Sequence, residues 1–156
     1  GIKLDKNTQN IQNIQKNIQK ISFTVPNKVK HIKEIRQHTE RICNEFKLKK
    51  KDTFDIKLAL NEAHANIIEH AYVEKEEGKI NFTFINYNNR LEINIKDNAK
   101  HRKIKPYKIK PNLIDNVEGS GLGTFLIKSL MDKIEYKHSP KIGNELLLTK
   151  YKHSKK

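Results

Sequence analysis

The chain is poor in several residue types, and each shortage excludes a class of protein. Cys43 is the only cysteine among 156 residues, which excludes an internal disulfide, and we interpret it as a buried, unreactive thiol. No apolar run is longer than the three leucines at 146–148, whereas a membrane-spanning helix needs about 20 apolar residues. The first residues hold no apolar signal region either. We therefore expect a protein of the cytoplasm that does not enter a membrane.

Arginine is also scarce, although the chain is strongly basic. The formal net charge is +14, yet only four of the 32 basic residues are arginines. Specific reading of DNA bases depends chiefly on the bidentate arginine fork, whereas lysine is attracted to any polyanion. The composition therefore disfavours specific nucleic-acid recognition. A basic nucleic-acid-binding protein stays as a third hypothesis behind two that are given below.

The length suits one domain with a normal core. Residues 1–20 are polar and repetitive, so we interpret them as a flexible N-terminal arm. Residues 21–151 carry the apolar patterns of a folded domain, and residues 152–156 form a short basic tail.

Apolar spacing within residues 21–151 predicts the order strand, helix, helix, strand, strand, loop, helix, strand, strand. The predicted segments are 21–25, 28–46, 53–72, 80–84, 91–95, 97–118, 123–132, 133–138 and 145–151. Asp52 or Thr53 is the predicted N-cap of the second helix, and a loop as long as 97–118 is usually functional. This order predicts an α+β fold, a two-layer sandwich in which helices cover one face of a mixed, mainly antiparallel sheet.

The second predicted helix carries three polar residues at a spacing of four. Glu62, Asn66 and His70 therefore share one helix face. An amide oxygen together with phosphate oxygens suits Mg²⁺, and a carboxylate one turn away can accept a proton from an attacking hydroxyl. By themselves these residues fit an ordinary solvated helix face at least as well.

Two further segments have chemical potential but low specificity. Asp97 ends a predicted strand, where a carboxylate can accept a hydrogen bond from an exocyclic amine or can simply begin a turn. Gly119, Gly121 and Gly123 precede a predicted helix, where backbone N–H groups can approach phosphates. The segment lacks both the preceding strand of a dinucleotide fingerprint and the Gly-Lys-Ser/Thr ending of a P-loop.

In this order, the three segments together resemble the nucleotide site of the histidine-kinase-like (GHKL) ATPases, which have the Bergerat ATP-binding fold. Three stretches are most similar to the bacterial anti-sigma-factor serine/threonine kinases of general-stress and sporulation switches: EAHANIIEHAY, GSGLGTFLIKSLMDKIEY and LLLTKY. The resemblance extends over residues 21–151. Its most specific parts are the helix segment and the glycine segment.

The resemblance implies a role for each matching residue in binding ATP and Mg²⁺. Asn66 would hold Mg²⁺ against the triphosphate, and Glu62 would be the general base that acts on a protein serine hydroxyl. Asp97 would read the adenine amine, with Thr149 supporting that pocket. Residues 99–118 would form a lid, and the phosphates would be lined by Gly119, Gly121, Leu122, Gly123 and Thr124.

The resemblance also implies partners. Such proteins sequester a sigma factor, phosphorylate a serine of a small anti-anti-sigma protein of the STAS type, and commonly form homodimers. Arg36 on the first helix falls near the surface that relatives use for partners, and it fits a solvated arginine equally well. The implied function is an ATP-dependent serine protein kinase that is also an anti-sigma factor.

One departure from the family pattern favours an alternative function. The family has Asp-x-Gly-x-Gly where this chain has Ala99 and His101 in place of the two glycines. Alanine costs about 1 kcal/mol relative to glycine where the backbone requires a positive φ. Since phosphoryl transfer depends on positioning, the alternative is a catalytically weak or inactive ATP-binding partner-switch module.

The histidines point to no separate chemistry. One cysteine and no His-Glu-x-x-His pattern make a zinc site improbable. We interpret His64 and His70 as packing or polar-face residues rather than catalysts.

Overall fold

The computed structural model describes residues 18–70, 78–98, 119–139, 141 and 143–152. These ranges contain, in chain order, β1 (Gln19–Pro26), α1 (Ile32–Glu45), α2 (Lys50–His70), β2 (Lys79–Asn86), β3 (Arg90–Asp97), α3 (Gly119–Leu130), β4 (Lys133–Ser139) and β5 (Gly143–Tyr151). A 3₁₀ turn, Val29–His31, leads into α1. The predicted order of strands and helices is confirmed within these ranges.

Alternating apolar residues place the five strands in one sheet. Side chains along a strand point to opposite faces in turn, and one set, including Phe23, Phe82, Ile93 and Leu148, is buried in the same core as the helices. The strand order is β1-β2-β3-β5-β4, and every neighbouring pair is antiparallel. The predicted two-layer sandwich is confirmed, and the part of the sheet that the structure describes is antiparallel throughout.

Aromatic residues fill the middle of the core. The ring centroid of Phe23 lies 5.6 Å from that of Phe82 and 5.9 Å from that of Phe84. Full burial of such a side chain contributes about 1.5–3 kcal/mol to stability. His64 also lies here, since its ring meets Phe82 edge-on at 5.1 Å and is fully buried. Burial lowers the pKa of His64 to about 4, so the ring is neutral at physiological pH and the prediction of a packing role is confirmed.

Helix α1 ends where the backbone turns left-handed. Its core side carries Ile35, Ile42 and Cys43, and Lys47 just beyond it has a φ of 59°, the usual conformation of a residue that stops a helix. Cys43 is fully buried, and burial raises the pKa of its thiol to about 12. The interpretation of Cys43 as a buried, unreactive thiol is confirmed.

Helix α2 begins earlier than predicted. The backbone N–H of Thr53 donates to the carbonyl of Lys49 at 2.9 Å, so Asp52 and Thr53 lie inside the first turn and the predicted N-cap is wrong. Lysines at 50 and 51 are good helix formers, which lets the helix extend backwards beyond the residues that pack. The predicted end of this helix near Tyr72 lies outside the described residues.

Helix α3 also begins before its predicted start at residue 123. It starts at Gly119, because its packing against α2 outweighs the cost of about 1 kcal/mol for each glycine in a helix. At the C-terminal end of α3, the Nζ of Lys150 donates to the carbonyl of Leu130 at 2.6 Å. The same Nζ lies 3.2 Å from Asp55 Oδ2, so Lys150 of β5 contacts both α3 and α2. None of the helices in the described ranges is long and apolar enough to cross a bilayer.

Candidate functional site

A row of polar side chains crosses three strands at one end of the sheet. The register places Asp97, the last residue of β3, opposite Asn144 of β5, and Asn144 opposite His138 of β4. Residues opposite one another in a sheet point to the same face. That face is the core side, because Ile95 and Leu146, two residues away from Asp97 and Asn144, are buried in the core. The row therefore lies beneath the helices.

Asn144 joins the row through both ends of its amide. Its Nδ2 donates to Asp97 Oδ1 at 3.1 Å, while its Oδ1 lies 2.8 Å from His138 Nδ1 and accepts from the hydroxyl of Tyr136. An amide oxygen can only accept, so the Nδ1 of His138 carries a hydrogen in this arrangement. Asp97 and Asn144 are only 5% and 4% exposed. The hydrogen bond between Asp97 and Asn144 is therefore largely removed from water, and the row continues to the half-buried Tyr136 and His138.

Gly143 allows β5 to approach the end of β3. Its φ is +114°, and a Cβ at this position would lie 2.1 Å from the carbonyl oxygen of Asp97 and 2.9 Å from the Cα of Asn98. Any other residue would push the strands apart just beside Asp97. The strand predicted here began only at residue 145, whereas Gly143 and Asn144 also belong to β5. A glycine beside a strand is also the usual mark of a close backbone approach, and that signal could have identified them.

The polar face of α2 is not simply solvated. Asn66 is 5% exposed and Glu62 is half-buried, while Ala63 and Ile67 belong to the core. A buried amide is costly unless something bonds it, and Asn66 is therefore not part of a solvated helix surface. The side chain of His70 lies outside the described residues.

Arg36 lies on the exposed side of the helical layer. Its Nη1 is 3.5 Å from Asn61 Oδ1, which brings it to the residue that precedes Glu62. A neighbouring ion pair between Glu40 and Lys57 also joins α1 to α2. Arg36 is therefore exposed on the helical layer, close to the part of α2 that carries Glu62.

The structure does not bring Thr149 to Asp97. Thr149 lies opposite Glu92 and Lys133, five residues along β5 from Asn144, which at about 3.4 Å per residue is roughly 17 Å. An odd separation also turns its side chain to the other face of the sheet. A resemblance in sequence does not show which residues of two strands pair with each other. In the folded sheet Asn144, not Thr149, lies opposite Asp97.

The backbone of the glycine segment forms the start of α3. The residues are Gly119, Gly121, Leu122, Gly123 and Thr124, of which only the backbone is described. The first four N–H groups of a helix have no partner within it, and they favour an anion such as phosphate. Residues 99–118, including Ala99 and His101, lie outside the described residues.

These groups fit a nucleotide with Mg²⁺. Asp97 offers a buried acceptor for an amine, the start of α3 offers donors for phosphates, and Asn66 offers an amide oxygen. No three His, Cys, Asp or Glu side chains in the described ranges are grouped to hold a metal ion. Mg²⁺ held mainly by phosphate oxygens and water does not require such a group.

The sequence is similar to known proteins along most of its length. The family model for a histidine kinase-like ATPase domain matches residues 25–150. Proteins named Serine-protein kinase RsbW from Bacillus thuringiensis (strain Al Hakam) and Bacillus cereus (strain ATCC 14579) are each 37% identical over 141 residues, which cover 85% of this chain and 85% of each relative. The protein of the same name from Bacillus anthracis (strain A0248) is 36% identical over 141 residues, with the same coverage.

Proposed function

The chain belongs to the histidine kinase-like ATPase family, and on that premise we propose that it binds Mg-ATP, phosphorylates a serine of an anti-anti-sigma protein of the STAS type, and sequesters a sigma factor. Protein serine kinase activity follows from the relatives, which are named serine-protein kinases and match along 85% of their length. What we propose beyond the relatives' names is that the phosphorylated protein is of the STAS type and that the sequestered protein is a sigma factor.

The main observation that supports nucleotide binding is the buried carboxylate of Asp97. A carboxylate that is 5% exposed and held by Asn144 costs stability, and a fold keeps such a group where it is needed for recognition. An ionised carboxylate only accepts hydrogen bonds. It therefore suits the amine of adenine and repels the carbonyl that guanine has at the equivalent place.

The proposed phosphoryl transfer uses two residues of α2 and the start of α3. Bound Mg-ATP supplies the γ-phosphoryl group. Glu62 accepts the proton of the partner's serine hydroxyl while the serine oxygen bonds to the γ-phosphorus and the bond to the β,γ-bridging oxygen breaks. Asn66 would hold Mg²⁺ through its amide oxygen, and the N–H groups at the start of α3 would bind phosphate oxygens. Such catalysis rests chiefly on positioning and charge stabilisation.

The proposed partners dock beside this site. The exposed side of α1 with Arg36, next to Glu62, is the surface that we assign to partner contact. The same proposal includes a homodimer and a location in the cytoplasm, where a sigma factor acts.

Thermal unfolding with increasing Mg-ATP tests the nucleotide site. At 100 times its dissociation constant, a ligand stabilises the folded protein by about 2.7 kcal/mol, which is readily measured as a higher unfolding midpoint. We expect this increase for the wild type and its loss in Asn66→Ala. Asn88→Ala is the matched control, because Asn88 is exposed in the hairpin turn at the opposite end of β3 from Asp97. An equal increase in all three proteins would contradict the assignment of Asn66.

Transfer of radiolabelled phosphate from ATP to a STAS-type protein tests the catalytic step. Glu62→Gln keeps the size of the side chain and removes the base, so we expect it to bind Mg-ATP normally and to lose transfer by about 100-fold or more. Undiminished transfer in Glu62→Gln would show that another group takes the proton.

Ala99 and His101 favour a second candidate, an ATP-binding partner-switch module with weak or no kinase activity. Both residues replace glycines in the family pattern, and a lid that closes poorly would weaken transfer more than binding. This candidate predicts nucleotide-dependent binding of a sigma factor without phosphorylation. More than one phosphorylated partner molecule per wild-type protein would eliminate it.

A further inference from the structure

We propose that Tyr136 and His138 of β4 are positioning residues for adenine recognition, which act on Asp97 through the amide of Asn144. The inference rests on the proposed function, because it assumes that Asp97 reads the base. It concerns two residues of the edge strand that neither the sequence motifs nor the names of the relatives assign to the site.

The side-chain amide of Asn144 has two possible orientations, which differ by a rotation of 180°. In the orientation observed, Oδ1 faces Tyr136 and His138 while Nδ2 donates to Asp97. A rotation of the amide by 180° would turn Oδ1 towards the Asp97 carboxylate, where two acceptors repel each other. The carboxylate of Asp97, which only accepts, therefore selects this orientation, and Tyr136 and His138 stabilise it by donating to Oδ1.

Burial makes that selection matter. Asn144 is 4% exposed and Asp97 is 5% exposed, so water does not readily replace a missing partner. Tyr136 and His138 are half-buried, and Tyr136 also packs against the apolar core. In a site of low polarity each hydrogen bond is stronger than in water, and each missing one costs more.

The consequence reaches the nucleotide through Asp97. Because Asn144 occupies one lone pair of Oδ1, the carboxylate is held in one rotamer with acceptor capacity left for a ligand amine. Without the two donors on β4, only the bond to Asp97 would hold the amide of Asn144, so the amide would be held less firmly and Asp97 would turn more freely. Affinity for adenine would fall, whereas the phosphate contacts at the start of α3 would be unaffected.

His138 must present a hydrogen at Nδ1 to take part. The neutral Nδ1–H tautomer and the doubly protonated ring both do so, whereas the Nε2–H tautomer does not. The amide nitrogen of an asparagine lies near the place of the histidine Nδ1, so His138→Asn preserves the donor. His138→Leu removes it and keeps an apolar side chain in its place.

The test compares the dissociation constants of Mg-ADP, Mg-GDP and inorganic tripolyphosphate, measured by calorimetry. We expect the wild type to prefer ADP to GDP, and the double variant Tyr136→Phe/His138→Leu to bind ADP about tenfold more weakly. Affinity for tripolyphosphate should be unchanged, so the ratio of the GDP to the ADP dissociation constant should fall. Tyr136→Phe with His138→Asn should retain most of that ratio.

Two controls separate positioning from folding. Glu135 directly precedes Tyr136 on β4, has an exposed side chain and points to the other face of the sheet, so Glu135→Gln should change nothing. The single variant Tyr136→Phe removes only one oxygen, so it can replace the double variant if the double variant does not fold. It should lower the ratio of the GDP to the ADP dissociation constant by a smaller factor.

The outcomes are distinguishable. Wild-type protein that binds neither ADP nor ATP overturns the proposed function and this inference together. Normal ADP binding by the wild type, with an unchanged ratio in folded Tyr136→Phe and double-variant proteins, overturns the inference alone. A loss of affinity that is equal for ADP, GDP and tripolyphosphate also overturns it, because such a loss reports a general disturbance of the fold.

Discussion

The middle of the sheet and its end at Asp97 are buried to the same degree, yet they are built from opposite chemistry. In the middle, Phe23 and Phe82 stack at 5.6 Å, and such contacts carry little directional demand. At the end, Asp97 and Asn144 are equally dry but depend on hydrogen bonds that allow one orientation only. The apolar middle stabilises the fold, whereas burial of the polar end costs stability, and we propose that the fold keeps it for nucleotide recognition.

Truncation of the aromatic middle should have the largest effect. Phe82 is fully buried, so Phe82→Ala should lower the free energy of unfolding by about 3–5 kcal/mol, through lost burial and the cavity that remains. Urea denaturation measures this. Phe54, which is 64% exposed, is the matched control, and Phe54→Ala should change stability by less than about 0.5 kcal/mol. Similar losses in the two variants would show that the core does not centre on the phenylalanine stack.

Acidification should protonate a histidine that is fully buried beside the aromatic rings. The pKa of His64 is lowered from 6.5 to about 4, first by burial and then by the charge of His31. The unfolded chain therefore binds more protons than the folded chain between these values, so stability falls as the pH falls from 6.5 towards 4. The expected loss is about 3 kcal/mol.

The contribution of His64 is isolated by difference. His64→Leu cannot bind the proton, so the stability lost between pH 6.5 and pH 4 should be smaller in this variant than in the wild type, as measured by urea denaturation at each pH. Equal pH dependence in the two proteins would mean that the acidic side chains alone account for the loss.

The polar end should be most sensitive at Gly143. Gly143→Ala places a Cβ 2.1 Å from the Asp97 carbonyl oxygen and a non-glycine residue at a φ of +114°, so we expect a loss of about 1–3 kcal/mol. Affinity for Mg-ADP should also fall, because Asp97 must move. Lower stability with unchanged ADP affinity would show that the close strand contact at Gly143 is not needed for nucleotide binding.

The smallest expected effect is a gain at the end of α1. Lys47 has a φ of 59°, a conformation that costs a non-glycine residue about 1 kcal/mol, so Lys47→Gly should raise the free energy of unfolding by up to that amount. Glu45→Gly, two residues earlier and inside the helix, should instead lower it by about 1 kcal/mol. Urea denaturation of both variants checks the opposite signs.

Sequence reasoning identified the elements more reliably than their ends. The alternation of Ile80, Phe82 and Phe84 predicted β2 because a half-buried strand requires it. The start of α2 was wrong because Lys50 and Lys51 carry no apolar signal, and the start of α3 was wrong because glycine signals a turn unless packing overrides it. Boundaries depend on such packing, which no local pattern contains.

Within the candidate site, the sequence by itself determined the groups that act locally: the four-residue spacing of Glu62 and Asn66, the place of Asp97 at a strand end, and the glycine segment before a helix. Only the tertiary structure decided what stands beside Asp97. It selected Asn144 rather than Thr149 and brought in Tyr136 and His138, because strand register is set by the closing of the whole sheet. A helix places neighbours by spacing along the chain, whereas a sheet places them by pairing across it, and the pairing can be read only from the folded molecule.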